Sequence, residues 1–191
     1  MDFILGSGSK SRLELLEQAG FIPSSIEQSD IDESILRGEK ALEYVKRVSL
    51  EKLSFLHRKC FGNIILSADT VGVMNGRILR KCKNEDEIER QLKMYSGRSI
   101  KVITSVCLVD AKHRISQKTV ATSIKFKHFS QIDIKDYIKS KQWVGVAAGL
   151  RIEGIMESMI IKYIGGYSNV RGLPLYETVN MLTTAGVVRK V

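Results

Sequence analysis

Hydrophobic and polar positions along this chain alternate between the strand period and the helix period, and the pattern is densest over residues 63–81. Ile64, Ile65 and Leu66 form an unbroken apolar run, the pattern of a strand buried on both faces. Asp69 stands at the end of that run, where charge is costly. The pattern resumes through Val71, Val73 and Met74 and turns at Asn75-Gly76, the type I′ hairpin signal. It returns through Ile78 and Leu79 to Lys81. An acid and a base are therefore expected from adjoining strands on one side of a sheet. They form either a structural ion pair or a site.

The rest of the chain reads as alternating strands and helices. Phe3, Ile4 and Leu5 make a short strand, residues 6–9 a small-residue loop, and residues 11–19 a helix stopped by Gly20. Ser11 and Glu14 stand at capping-box spacing. A helix over 39–56 has Leu42, Val45, Val48, Ser49, Leu53 and Leu56 as its inward stripe, and Lys52 falls inside it. An inward lysine either snorkels past the core or meets an anion in a cleft. The acidic run from Asn84 starts a helix ending at Tyr95. Residues 99–109 and 115–126 read as strands of one hairpin, and Ser130 caps a helix over 132–140. After a small-residue stretch at 144–149 come a strand over 159–164, a loop over 165–169 and a last helix opened by Pro174. The sum is a single α/β domain over 1–191, with a mixed, partly antiparallel sheet flanked by helices.

Composition narrows the function classes. At 43% hydrophobic and 27% charged residues the chain is ordinary for a globular protein. No apolar run approaches the roughly 20 residues that span a bilayer, and the N-terminus lacks a signal-peptide pattern. Cys60, Cys82 and Cys107 are few and widely spaced, which fits a reducing cytoplasm and excludes a structural zinc motif. The net charge of +9 suits either nucleic acid or a small polyanion. Because Lys and Arg are scattered and no aromatic-studded RNA-binding motif occurs, the small polyanion is preferred.

Three stretches carry candidate chemistry. A strand, a Gly/Ser loop and a helix start form an anion-binding arrangement, to which Arg12 adds charge-assisted hydrogen bonds. It is not a P-loop, since the Gly-Lys-Ser/Thr ending is missing. Asp30, Asp32 and Glu33 are either solvated surface or oxygen ligands for Mg²⁺ opposite phosphates. His57, His113 and His128 lie in settings that suggest nothing catalytic.

Taken together, these residues resemble the Maf family of nucleoside triphosphate pyrophosphatases. Leu5-Gly6-Ser7-Gly8-Ser9-Lys10-Ser11-Arg12 resembles the family's opening Leu-Ala-Ser-x-Ser-Pro-Arg-Arg. Asp30-Ile31-Asp32-Glu33 resembles its acidic motif, Glu51-Lys52 its helix lysine, Ala68-Asp69-Thr70-Val71 its Ala-Asp-Thr-Val, Arg80-Lys81 its Gly-Lys, and Ser96-Gly97-Arg98 its Ser-Gly-Arg. Residues 166–175 are close to its Gly-x-Tyr-x-x-Val-x-Gly-Leu-Pro-Leu.

The resemblance implies two lobes around a nucleotide cleft, as in Maf and ITPase-like folds. It also implies cleavage between the α- and β-phosphates with a divalent metal, Mg²⁺ or Mn²⁺. Asp69 would be the general base, with Lys52 and Lys81 as catalytic cations. Ser7 and Arg12 would bind phosphate, and Glu33 and Asp69 would hold the metal. A cytoplasmic homodimer and a role in clearing nucleotides or arresting septum formation belong to the same resemblance.

Departures bear on the substrate. The pyrimidine-acting branch resembled here has Arg, Thr and Gln where this chain has Ser11, Thr70 and Glu153, and the 7-methylguanosine branch has Trp, Gln and Glu. The chain matches neither set. A carboxylate at Glu153 is expected to accept from a purine N–H or to repel a uracil carbonyl, leaning away from uracil-type bases. Residues 145–149 lack the Asp-Lys pair of the pyrimidine branch, which leaves open a regulatory or binding protein on the same scaffold.

Overall fold

One long strand, β3 (Ile64–Met74), runs unbroken through Asp69, so the acid sits mid-strand rather than at a strand end as the sequence suggests. The computed structural model describes residues 1–190. Apolar and β-branched residues hold β3 in the middle of a mixed sheet of order β2-β1-β3-β5-β6-β7. The other strands are β1 (Phe3–Gly6), β2 (Ser25–Ile26), β4 (Arg77–Leu79), β5 (Ser99–Val109), β6 (Ile115–Phe126) and β7 (Ile160–Ile164). The helices are α1 (Lys10–Gln18), α2 (Ala41–Lys59), α3 (Glu85–Tyr95), α4 (Gln131–Lys139), α5 (Tyr167–Val170) and α6 (Leu175–Thr184).

Alternation along β3 assigns its two faces. Ile65 packs with Leu53 and Leu56 of α2, and Val71 with Val45 and Val48. Between them, the Ser67 hydroxyl donates to the Ser49 carbonyl at 2.8 Å. Ile64, Leu66 and Ala68 face the other way, onto Leu15 and Leu16 of α1 and Met181 and Leu182 of α6. A second apolar cluster gathers Met74, Tyr95, Phe126, Tyr137 and Trp143 under α3 and α4. Asp69 and Thr70 therefore fall on β3 between the residues it contributes to these two cores.

The pairing of β3 also leaves an opening. One edge pairs continuously with β5 from Ile65 to Val73. The other edge pairs with parallel β1 only as far as Ser67, and with β4 only from Gly72 onward. Residues 68–71 have no strand on that side. The opening lies beyond the carboxyl end of β1, the place where open α/β sheets bind ligands.

Several local expectations change. The N-cap of α1 is Ser9, whose side chain accepts from the Arg12 N–H, so Ser11 lies inside the helix and makes no capping box. Helix α2 starts at Ala41, with Leu42 48% exposed and Tyr44 taking the buried position. The stretch over 165–169 contains the start of α5 rather than only a loop. The two-residue β2 carries no strand pattern of its own and forms because β1 offers it an edge. The strands at 99–109 and 115–126 and the Asn84 and Ser130 caps lie where the pattern predicts them.

Candidate active site

Asp69 and Lys52 meet because β3 turns Asp69 toward α2 and the inward stripe of α2 carries Lys52. Lys52 Nζ donates to Asp69 Oδ1 at 2.9 Å and lies 3.0 Å from Glu33 Oε1. The side chains of Lys52 and Asp69 are 12% and 8% exposed. The ion pair expected between Asp69 and Lys81 thus forms with Lys52 instead. Asp69 Oδ2 is buried and has no hydrogen-bond partner. An unpaired carboxylate oxygen in a buried place is costly and marks a position made for a ligand or a reacting water.

Glu33 comes from the acidic loop, which is tied to α2 by the Tyr44 hydroxyl donating to the Glu33 carbonyl at 2.9 Å. Burial, and then the negative charges of Asp69 and Glu33, push the Tyr44 phenol up to about 12. Asp32 turns away: its carboxylate accepts from the Ser34 N–H at 2.8 Å and the Ser34 hydroxyl at 2.9 Å, which holds it below its ordinary value. Of the acidic loop, only Glu33 pairs with Lys52.

Arg12 closes the other wall. Its Nη1 donates to Ser7 Oγ at 2.8 Å, Nη2 to Thr70 Oγ1 at 3.1 Å, and Nε to the Gly172 carbonyl at 2.8 Å. Burial draws the guanidinium below its ordinary value, and nearby Asp69 and Glu33 oppose that effect. Gly172 has φ +99°, a left-handed backbone conformation that favours glycine where its carbonyl meets Arg12 Nε.

Thr70 belongs to a hydrogen-bonded row across the sheet. Thr104, its partner on β5, lies 3.0 Å away hydroxyl to hydroxyl and donates in turn to the Asn169 carbonyl at 3.1 Å. Asn169 Nδ2 donates to the Val102 carbonyl and to Thr122 Oγ1. With the Thr104 hydroxyl spent on Asn169, Thr70 donates to Thr104 and accepts from Arg12. Its hydroxyl therefore orients Arg12 and leaves no proton for a nucleobase.

The other two specificity candidates do meet. Ser11 Oγ lies 3.5 Å from Glu153 Oε1 and donates to the Arg171 carbonyl at 3.1 Å. Arg171 Nε pairs with Glu153 Oε1, and Arg171 Nη2 with Glu14 Oε2 at 2.9 Å. The Glu153 carboxylate is paired with Arg171. Arg171 has no role in the sequence reading, although it stands inside the motif at 166–175; only an arginine among that motif's small and apolar residues could have signalled it.

Lys81 is the outlier. It is exposed on the segment leaving β4 and makes no ion pair among the described residues. Pairing of β4 stops at Leu79 opposite Gly72, so that segment departs at the rim of the opening. On the same side, Ala148 presses on Gly72 so closely that a Cβ there would stand 2.6 Å from its methyl group. A groove of about 680 Å³ lies elsewhere, between the β5–β6 hairpin and α6.

No group of three or more His, Cys, Asp or Glu side chains among the described residues could hold a metal by itself. Two carboxylates do converge, from Glu33 and Asp69, and one oxygen of Asp69 is free. Mg²⁺ commonly takes one or two carboxylates and completes its shell with water and substrate phosphate, so this donor set fits it. No helix among the described residues is long and apolar enough to cross a membrane.

Comparison with known proteins agrees along the length of the chain. A relative from Neorickettsia sennetsu named nucleoside triphosphate pyrophosphatase is 40% identical, over 99% of this chain and 90% of its own. Relatives named dTTP/UTP pyrophosphatase, from Bradyrhizobium diazoefficiens and Brucella abortus, are 41% and 40% identical, over 96% of this chain and 91% of theirs. The sequence pattern of one family, described as Maf-like protein, matches residues 2–185. With that match and those relatives, the chain belongs to the Maf-like protein family.

Proposed function

We propose that this protein hydrolyses nucleoside triphosphates between the α- and β-phosphates, giving nucleoside monophosphate and pyrophosphate. The observation that carries the proposal is the buried, unpartnered Asp69 Oδ2 held within a cluster of cations. In this reading Asp69 Oδ2 accepts a proton from water as the water oxygen attacks phosphorus, and the α–β bridging bond breaks to release pyrophosphate. Lys52 orients Asp69 through Oδ1 and offers positive charge to the phosphates. Arg12, Ser7 and the free N–H groups at the start of α1 form the phosphate cradle.

Glu33 and Asp69 would hold the divalent cation, Mg²⁺ or Mn²⁺, together with substrate phosphate. Bound there, the cation would neutralise charge developing on the phosphate oxygens. Lys81 is a point charge at the rim that bound triphosphate draws inward. The same proposal includes a single domain, a cytoplasmic setting, a homodimer and a role in nucleotide clearance or septum arrest, each suggested by the family resemblance; light scattering tests the dimer.

The deciding experiment supplies purified protein and Mg²⁺ with ordinary and modified triphosphates and reads pyrophosphate. Asp69→Asn keeps the shape but cannot accept the proton, so turnover of the folded protein should fall by about 10²–10⁴-fold, and loss of the buried pair with Lys52 should lower the melting temperature. Wild-type turnover in that variant would remove Asp69 as the base. No pyrophosphate from any substrate would leave a nucleotide-binding protein on this scaffold.

A further inference from the structure

Two histidines 56 residues apart in sequence meet outside the candidate active site. His57 stands in the last turn of α2, and His113 in the turn that joins β5 to β6. His57 Nε2 and His113 Nδ1 lie 3.3 Å apart. The other ring nitrogen of His57, Nδ1, is buried without a hydrogen-bond partner, so His57 can meet an incoming group only through Nε2. His113 is exposed and has φ +61°. Its N–H donates to the Asp110 carbonyl at 2.9 Å, and Asp110 Oδ1 accepts from the flanking N–H groups of Lys112 and Arg114. The Phe61 ring stacks on His113, with centroids 4.6 Å apart, and lies 5.5 Å from the His57 ring. The turn and Phe61 therefore set both rings before any ligand arrives.

We infer that His57 and His113 form a binding site for a divalent transition-metal ion of the Zn²⁺ class, distinct from the carboxylates of Glu33 and Asp69. Zn²⁺ bonds imidazole nitrogen at about 2.0–2.1 Å, so two such nitrogens on one tetrahedral ion stand about 3.3–3.4 Å apart. The observed separation matches that of two ligands on one ion and is long for a hydrogen bond between the rings. Imidazole suits Zn²⁺, Cu²⁺ and Ni²⁺, whereas Mg²⁺ takes oxygen, so the two sites sort metals by donor type. Water fills the remaining positions, since no group of three metal-binding side chains forms among the described residues. The basic neighbours Lys59 and Arg114 are paired with Glu27 and Asp110, and the C-terminal end of a helix favours a cation. The ion ties the end of α2 to the β5–β6 turn. It extends a seam in which Gln117 Nε2 donates to the Lys46 carbonyl at 2.8 Å and Ser49 Oγ donates to Ser105 Oγ at 3.0 Å. Binding to the folded chain alone raises its melting temperature.

The test titrates chelator-treated, full-length protein with ZnCl₂ by calorimetry in excess Mg²⁺, beside thermal melts with and without Zn²⁺. Excess Mg²⁺ competes for the carboxylates, and no nucleotide is present, so the outcome is independent of hydrolysis. Wild type should bind one Zn²⁺ and melt higher with it. His57→Phe keeps a ring without nitrogen, and His113→Asn keeps a residue that tolerates positive φ. Each should weaken Zn²⁺ binding by at least about 10-fold, the smallest loss usual for residues that merely support a metal ligand, and remove the rise in melting temperature. His128→Ala, which changes the remaining histidine, should alter neither readout. His113 is exposed, so His113→Asn decides alone if His57→Phe does not fold. No one-to-one binding to wild type, wild-type affinity in His113→Asn, or an equal loss in His128→Ala would overturn the inference and leave the contact a hydrogen bond between two rings.

Discussion

Lys52 and Lys81 resemble each other in sequence but occupy different surroundings, and their replacements should separate them. Lys52 neutralises Asp69 and Glu33, and its side chain is 12% exposed. Lys52→Met strands a buried carboxylate, so it should lower both activity and stability, the latter by on the order of 3 kcal/mol. Lys81 is exposed and pairs with nothing among the described residues. Lys81→Met should raise KM for triphosphate and leave the melting temperature unchanged. Thermal melts and Michaelis curves for both variants decide this. A stable Lys52→Met variant with normal kinetics would show that the ion pair matters to neither fold nor turnover.

The hairpin between β5 and β6 shows how a single turn residue can hold a large element. Asp110 Oδ1 accepts from the N–H groups of Lys112 and Arg114 at 2.9 Å each, and Oδ2 from Arg114 Nε at 2.8 Å. These bonds, the Arg114 backbone N–H foremost, hold the Asp110 carboxyl below its ordinary value. A group with a lowered folded-state value stabilises above its unfolded value of about 3.9 and stops doing so as pH falls below it. Asp110→Ala should therefore lower the melting temperature at pH 7, and its deficit against wild type should shrink as pH drops below about 4. A deficit that stays constant from pH 7 to 3 would assign Asp110 a role independent of its charge. The hairpin matters to the site because β5 carries Thr104, which ties Thr70 and hence Arg12 to the Asn169 segment.

At the scale of the molecule, the chain carries a net charge of +9, and Arg12 and Lys52 meet Thr70 and Asp69 on the open stretch of β3. A triphosphate approaching such a field is steered, and salt weakens the steering because the screening length shrinks from about 10 Å at 0.1 M to about 3 Å at 1 M. Raising NaCl from about 0.05 to about 0.5 M should lower kcat/KM, chiefly through KM, with kcat at saturation little changed. Constant kcat/KM over that range would make the basic surface simple solvation.

Local chemistry determined much of this protein without tertiary help. The type I′ turn at Asn75-Gly76, the caps at Asn84 and Ser130, the long β5–β6 pair and the inward lysine of α2 follow from neighbours a few residues apart. Asp69, Lys52 and Arg12 were legible as candidates because charge on an apolar stripe or beside a small-residue loop is costly unless something meets it; Ser7 and Glu33 were candidates through the loop, the acidic cluster and the family resemblance. Tertiary structure alone decided which charges meet. The partner of Asp69 is Lys52, 17 residues back on α2, because β3 and α2 pack face to face; the hairpin that places Lys81 nearby in sequence ends at Leu79. Glu153 acquires Arg171, 18 residues further along the chain, and Thr70 loses its free hydroxyl through a contact with Gly172, 102 residues away in sequence, and through Thr104 held by Asn169. Periodicity carries no information about such pairings. They arise from which strand edges are left open and which face of each element the core covers.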